Sequence, residues 1–217
     1  MSRAVTGAGR LALLVAGAAA LAGCAAARGA ATVDTGSASG LHGTDVSDVI
    51  TRPRLALADT AGRLVDLHTR PSNELTVLFF GYTHCRDVCP TTMADLAAAR
   101  RSLPANVRAR VKVFFVTEDP ARDTPSVLRS WLERYDDSFV GLIGGGRRTQ
   151  AALDALKSPH TEIHPVVASA GSAGPAAAPL VEHGASVYVF SASKSELYTG
   201  GTTPTQYASD LRSLAGS

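Results

Sequence analysis

Cysteine is scarce in this chain, with three in 217 residues. That excludes the disulfide framework that holds small exported scaffolds together, so the fold must rest on a hydrophobic core. Charged residues make up 18% and aromatic residues 6%. A hydrophobic content of 45%, with 20 Gly and 11 Pro, excludes collagen-like and largely disordered chains. There is no Gly-rich phosphate loop, no Ser/His/Asp arrangement and no basic patch interleaved with aromatics. Nucleotide and nucleic-acid functions therefore lack support, and Arg100-Arg101 and Arg147-Arg148 read as solvated surface. The apolar run near the start, Leu11 to Leu21, has 11 residues, where an ordinary transmembrane helix needs about 20.

That run follows Arg3 and Arg10 and ends in Leu21-Ala22-Gly23-Cys24, the layout of an export signal. The ending resembles a bacterial lipoprotein signal, cleaved before a cysteine that is then lipidated. Residues 1–23 are thus expected to be a signal peptide, and Cys24 a lipid anchor on the extracytoplasmic face of the cell membrane, with two or more acyl chains needed for stable attachment. The formal charge of +2 belongs to this signal, since it carries Arg3 and Arg10 and no acid; the remainder holds nineteen basic and nineteen acidic residues. A basic pI therefore says nothing about an anionic partner. Residues 24–50, rich in Ala, Gly, Ser and Thr, read as a tether, and His42 reads as solvated spacer.

From residue 51 to 217 short apolar runs alternate with amphipathic segments. Arg54 to Ala58 and Arg63 to Leu67 flank Asp59-Thr60-Ala61-Gly62 as a hairpin. Leu75 to Phe80 and Val113 to Val116 fit strands buried on both faces. Met93, Leu96, Ala97 and Leu103 keep helical spacing, and Thr124-Pro125 opens a helix whose stripe is Val127, Leu128, Trp131, Leu132 and Tyr135. A short strand at Phe139 to Ile143, a helix near Thr149 to Leu156, a hairpin of Ala185 to Phe190 with Glu196 to Tyr198, and a last helix from Thr203-Pro204 complete the order. This alternation predicts an α/β sandwich with a central mixed sheet. Ser169 to Pro179 reads as an exposed loop excursion.

The chemistry gathers at Gly81-Tyr82-Thr83-His84-Cys85-Arg86-Asp87-Val88-Cys89-Pro90, directly after the first buried strand and at the start of a helix. Helix N-terminal N–H groups and the positive dipole end favour a thiolate. Two cysteines four apart near a helical turn have Cα atoms about 6 Å apart, inside the range of a disulfide and suited to pointing both sulfurs at one ion. Asp87 between them is expected to shape the loop or raise a thiol pKa by its charge. Two thiolates rarely complete a metal site, so the histidines matter: His183 lies on a loop leading into a strand, His84 reads as loop structure or as support for the ligands, and His68, His160 and His164 read as solvated.

Three separated segments, GYTHCRDVCPTTM at Gly81 to Met93, VFFVTEDPARDTP at Val113 to Pro125 and EHGASVYVF at Glu182 to Phe190, resemble the Sco/SenC family of copper-binding assembly proteins for cytochrome c oxidase. The resemblance spans roughly residues 51 to 215. It implies a thioredoxin-like fold and copper ligation by Cys85, Cys89 and His183. Thiolates suit Cu(I) and imidazole accepts both copper states, while zinc is the rival ion for two Cys and one His. Met93, on a helix stripe, is better used for packing than for ligation. Asp119, in the DPxRDTP segment, is expected to orient a ligand or a partner, with a turn and cap role for Asp119, Asp123 and Thr124 as the alternative. Arg86, Glu182 and the long segment Ser158 to Val181 depart from the family pattern and bear on partner choice and copper affinity.

Two functions follow from the resemblance. One is a metallochaperone passing copper to the dinuclear copper centre of oxidase subunit II, with other copper chaperones or thioredoxin-like reductants as further partners. The other is a thiol-disulfide oxidoreductase acting on the cysteines of that centre. A peroxide-reducing enzyme fits less well, because such a site needs one low-pKa cysteine and not two.

Overall fold

The computed structural model describes residues 40–158, 162–164, 180–182 and 186–216. The chain forms β1 (Thr44–Asp45), β2 (Ala56–Asp59), β3 (Leu64–Asp66), β4 (Leu75–Gly81), α1 (Val88–Arg101), α2 (Ala105–Arg110), β5 (Val111–Thr117), α3 (Pro125–Glu133), β6 (Val140–Ile143), α4 (Gly146–Ala155), β7 (Glu162–His164), β8 (Leu180–Glu182), β9 (Val187–Phe190), β10 (Ser195–Tyr198) and α5 (Pro204–Gly216). Eight strands make one mixed sheet in the order β1-β10-β9-β4-β5-β6-β2-β3, and β7 pairs with β8 separately. Strands β4, β5 and β6 run parallel, so the loops that follow them open at one end of the sheet. Among the described residues no helix is long and apolar enough to cross a membrane.

The unbroken apolar runs of β4 and β5 are explained by burial on both faces. Odd-numbered Val77, Phe79, Val113 and Phe115 pack with Met93, Leu96, Leu128, Trp131 and Leu211 from α1, α3 and α5. Even-numbered Leu78, Phe80, Phe114 and Val116 pack on the other face with Leu57, Leu67, Leu153 and Leu156. Phe115 holds the centre of the first layer, its ring centroid 5.8 Å from Phe79 and 5.1 Å from Trp131. The expected sandwich, N-terminal hairpin and C-terminal helix are all present. The sequence reading had no counterpart for α2, β7 or β8. Elements of three to six residues are too short to display a period, and β7 places His164 in a strand where a loop was expected. The Ser169 to Pro179 excursion lies outside the described residues.

The folded chain begins before the expected boundary at 51. Leu41 and Ile50 are buried, and β1 pairs antiparallel with β10, so the second half of the anticipated tether belongs to the domain. His42 is correspondingly more than a spacer. Its Nδ1 lies 2.8 Å from Asp210 Oδ1, and the backbone N–H groups of His42 and Gly43 donate to Asp210 Oδ2 at 2.7 and 3.1 Å. The Tyr198 hydroxyl donates to the same oxygen at 3.0 Å. Because β10 runs antiparallel to β9 and β9 antiparallel to β4, the chain preceding Thr44 reaches the sheet from the end where β4 finishes.

Beside this junction, Glu196 is fully buried, and neither carboxylate oxygen has a hydrogen-bond partner among the described residues. Asp45 is its cross-strand neighbour, and the Lys194 ammonium is 4.0 Å away. Burial first, then the charges of Asp45 and Asp210, push its carboxyl up to about 7 against a partial offset from Lys194. A raised acid favours the unfolded state once that state ionises: below about pH 4.5 both states hold the proton, and stability falls as pH rises from there to about 7, then levels. Glu196→Gln should remove a decline on the order of 2 kcal/mol between pH 5 and 8, read by urea denaturation at both pH values. Equal pH slopes in the two proteins would refute it.

Candidate metal and thiol site

The cysteine segment begins where β4 stops. Gly81 is the last residue of β4, and its carbonyl accepts the Glu118 N–H at 2.8 Å, tying the loop after β4 to the loop after β5. Cys85 N–H closes a turn on Tyr82 O at 3.2 Å, and α1 starts at Val88. Pro90 falls in the first helical turn, where a missing N–H is harmless. Asp87 stands at the N-cap without a side-chain cap bond; its carbonyl accepts the Thr91 N–H and hydroxyl at 3.3 and 2.9 Å. The first N–H groups of a helix need outside partners. The Cys89 N–H finds one in Cys85 Sγ, 3.3 Å away, so the Cys85 sulfur does for α1 what a capping side chain does elsewhere.

The two cysteines, both thiols, are unequal. Cys85 is half-buried and Cys89 fully buried. A Cβ on Gly81 would lie 2.7 Å from Cys89 Sγ and 3.2 Å from two atoms of the Phe115 ring, so the sulfur occupies the space that glycine leaves. The Cys89 thiol is pushed far above the ordinary thiol range. Its hydrogen bond to Cys85 is the largest cause, followed by burial, with the charges of Cys85 and Glu118 adding and a Tyr82 backbone bond opposing. At Cys89, burial and donation to a neighbouring sulfur act against the helix dipole. Glu118 adds its charge to this thiol, and Asp87 has the first of its two expected roles, shaping the loop as the N-cap residue of α1.

Asp119 has the turn role that was the alternative for it. Asp119 accepts from Arg122 Nε in an ion pair. Its backbone N–H donates to Thr117 Oγ1 at 3.0 Å, and its carbonyl accepts from Arg122 and Asp123, so Asp119 builds the turn. The carboxylate that braces the cysteine loop is Asp123, which is fully buried. It accepts from the Thr83 N–H at 3.0 Å, the Thr83 hydroxyl at 2.6 Å and the Thr117 hydroxyl at 2.7 Å. His84 Nδ1 lies 3.8 Å from the same carboxylate and 3.1 Å from Thr83 Oγ1. Thr124 has the expected cap role, accepting from Val127 N–H at 3.4 Å. Sequence reading passed over Asp123 because an acid beside a helix cap ordinarily serves that cap. The pairing of Thr83 with Asp123 spans forty positions.

His183 lies outside the described residues, as do His160 and Cys24. The strand that ends one residue before His183, β8, pairs in register with β7, Glu182 opposite Glu162. Among the described residues no group of three His, Cys, Asp or Glu side chains is arranged to hold a metal ion. Cys85 and Cys89 supply two sulfurs on one turn.

A family model described as SCO1/SenC matches residues 47–216. A Stutzerimonas stutzeri protein named for copper binding is 38% identical over 102 residues, 44% of this chain and 50% of its own length. The SCO2-like protein of Rickettsia felis is 31% identical over 101 residues, 46% of this chain and 48% of its own length. The chain thus spans about half the length of these curated relatives. The solution structure of apo Sco1 from Thermus thermophilus is similar with a TM-score of 0.65 and 30% identity, covering 80% of this chain and 96% of that one. Copper-bound ScoI from Bradyrhizobium japonicum has a TM-score of 0.63 and 25% identity, covering 76% and 99%. The sandwich is the thioredoxin-like fold of these structures.

Proposed function

Because the chain belongs to the SCO1/SenC family, we propose that it binds copper and serves cytochrome c oxidase assembly, carrying the ion as cargo for the dinuclear copper centre of subunit II. The observation that carries this reading is the cysteine pair on the first turn of α1, with Cys89 N–H directed at Cys85 Sγ. A relative named for copper binding and a copper-bound neighbour of the same fold support it. Cys85, Cys89 and His183 are the ligands in this reading. Thiolate sulfurs suit Cu(I) and the imidazole keeps Cu(II) within reach. The loop braced by Asp123 holds Cys85, the β4 end and Phe115 hold Cys89, and the Cys89 proton leaves as the ion arrives. Cys24 anchors the chain by lipid at the extracytoplasmic face of the cell membrane.

A thiol-disulfide exchange role is favoured by one specific feature, the half-buried Cys85 beside the fully buried Cys89. That is the division between an attacking and a resolving thiol. His183→Ala separates the two. Cu(I) titration of the reduced protein should show loss of tight one-to-one binding in the variant, while the rate of disulfide exchange with an oxidised test peptide stays within about twofold. Unchanged copper stoichiometry and affinity would remove His183 from the ligand set.

A further inference from the structure

The surface around Cys85 is polarised. Val88 and Val127, 37% and 40% exposed, are two of the large apolar side chains left in solvent among the described residues. They open α1 and α3, the helices that follow β4 and β5, so they stand on either side of the cysteine loop. On the α3 side a cavity of about 580 Å³ is lined by Thr83, His84, Val127, Ser130, Trp131 and Arg134. The Arg134 guanidinium lies over the Trp131 ring, 5.9 Å from its centroid, with Nε donating to Trp131 O at 3.4 Å. This holds an exposed cation at the groove's edge. Among the described residues no carboxylate lies within ion-pair distance of Arg134 or of Arg86, which is exposed next to Cys85. On the α1 side a second cavity of about 330 Å³ is lined by Asp87, Asp95, Thr91, Thr202 and Tyr207. One flank therefore offers an apolar wall edged by the Arg134 cation, with Arg86 exposed on the adjoining loop, and the other offers acids.

We propose that the groove between the cysteine loop and α3 receives an acidic segment of the partner polypeptide that exchanges with Cys85. The inference rests on the reading of Cys85 as the accessible group of the site and adds the chemistry of what docks beside it. A charged rim around a partly apolar groove sets the orientation and the on-rate of a complementary partner more than its final affinity. The acids across the loop at Asp87 and Asp95 repel the same segment and so fix which way round it lies.

The test uses the reduced full chain and three peptides of equal length. Each carries one cysteine activated as a mixed disulfide with thionitrobenzoate and flanked by Glu, Lys or Ser. The Cys85 thiolate attacks the peptide sulfur, the old S–S bond breaks, and thionitrobenzoate leaves with the electron pair and is read by absorbance. The rate of Cys85→Ser is subtracted to remove reaction at other thiols. The Glu peptide should react about tenfold faster than the Lys peptide at low salt, with the gap closing as salt rises. Arg134→Glu should reverse the order of the Glu and Lys peptides. Equal rates for the Glu and Lys peptides, or an order unmoved by Arg134→Glu, overturn the groove proposal while Cys85 remains reactive. Reaction with none of the three overturns the underlying reading of Cys85 and the groove with it.

Discussion

Cys85→Ser is expected to lower Cu(I) affinity by roughly two orders of magnitude and to abolish rapid alkylation at the site. Cys89→Ser should lower affinity as far but leave the rapid alkylation in place. The affinity loss follows from the ligand count: structural zinc in zinc-finger peptides binds with about 10–16 kcal/mol over four ligands, on the order of 3 kcal/mol each, and a thiolate on Cu(I) is expected to contribute on that scale. The contrast in alkylation follows from the geometry. Cys85 is half-buried, whereas Cys89 is fully buried, donates to Cys85, and is held far above the ordinary thiol range. Iodoacetamide labelling near pH 7.5, followed by peptide mass spectrometry, reads the two sites separately. Competition with a Cu(I) chelator reads affinity. Similar labelling rates at Cys85 and Cys89 in the wild-type protein would contradict the inequality on which the exchange chemistry depends.

Gly81→Ala should cost about 1–3 kcal/mol of stability and weaken copper binding at least tenfold, although the residue carries no ligand atom. The added Cβ would stand 2.7 Å from Cys89 Sγ and 3.2 Å from two Phe115 ring atoms. The backbone cannot retreat, because Gly81 is in parallel register with Thr117 and its carbonyl is bonded to Glu118. Nor can the Phe115 ring, packed against Phe79 and Trp131. The sulfur therefore yields and leaves the position it holds beside Cys85. For a domain of this size the expected fall in Tm is roughly 2–12 °C, measured by calorimetry beside the chelator titration. A variant that keeps both Tm and copper affinity would mean that β4 or the ring relaxes, and that the tight contact is not what sets the position of Cys89.

The parts of the fold that the chain spells out are those whose periodicity is long enough to be read. Both central strands declared themselves as unbroken apolar runs because helices cover both faces, and α3 by Thr124-Pro125 followed by its apolar stripe. The edge of the sheet did not. β1 has two residues and depends on Asp210, 168 positions away from His42, a pairing without local signal. The cysteine pair was legible as a motif, but its inequality was not. That inequality depends on Phe115 and Gly81 from neighbouring strands and on the charge of Glu118, all brought in by the parallel pairing of β4 with β5. Asp123 was visible as part of a segment and hidden as a brace, because one of its threonine donors sits on the loop after β4 and the other at the last position of β5.

The junction held by Asp210 also fixes where the described chain enters the domain. Sixteen peptide steps separate Cys24 from Gly40, and such a length spans no more than about 58 Å even when fully drawn out. The described chain enters the sheet at the end where β4 finishes and the thiols open. Were Cys24 lipidated as proposed, the pole that carries the thiols would be the moored one, and the chain length alone would cap its height above the bilayer. Inserting residues between Cys24 and Gly40 would then raise that cap without touching either cysteine of the site, so reach and binding would be separable.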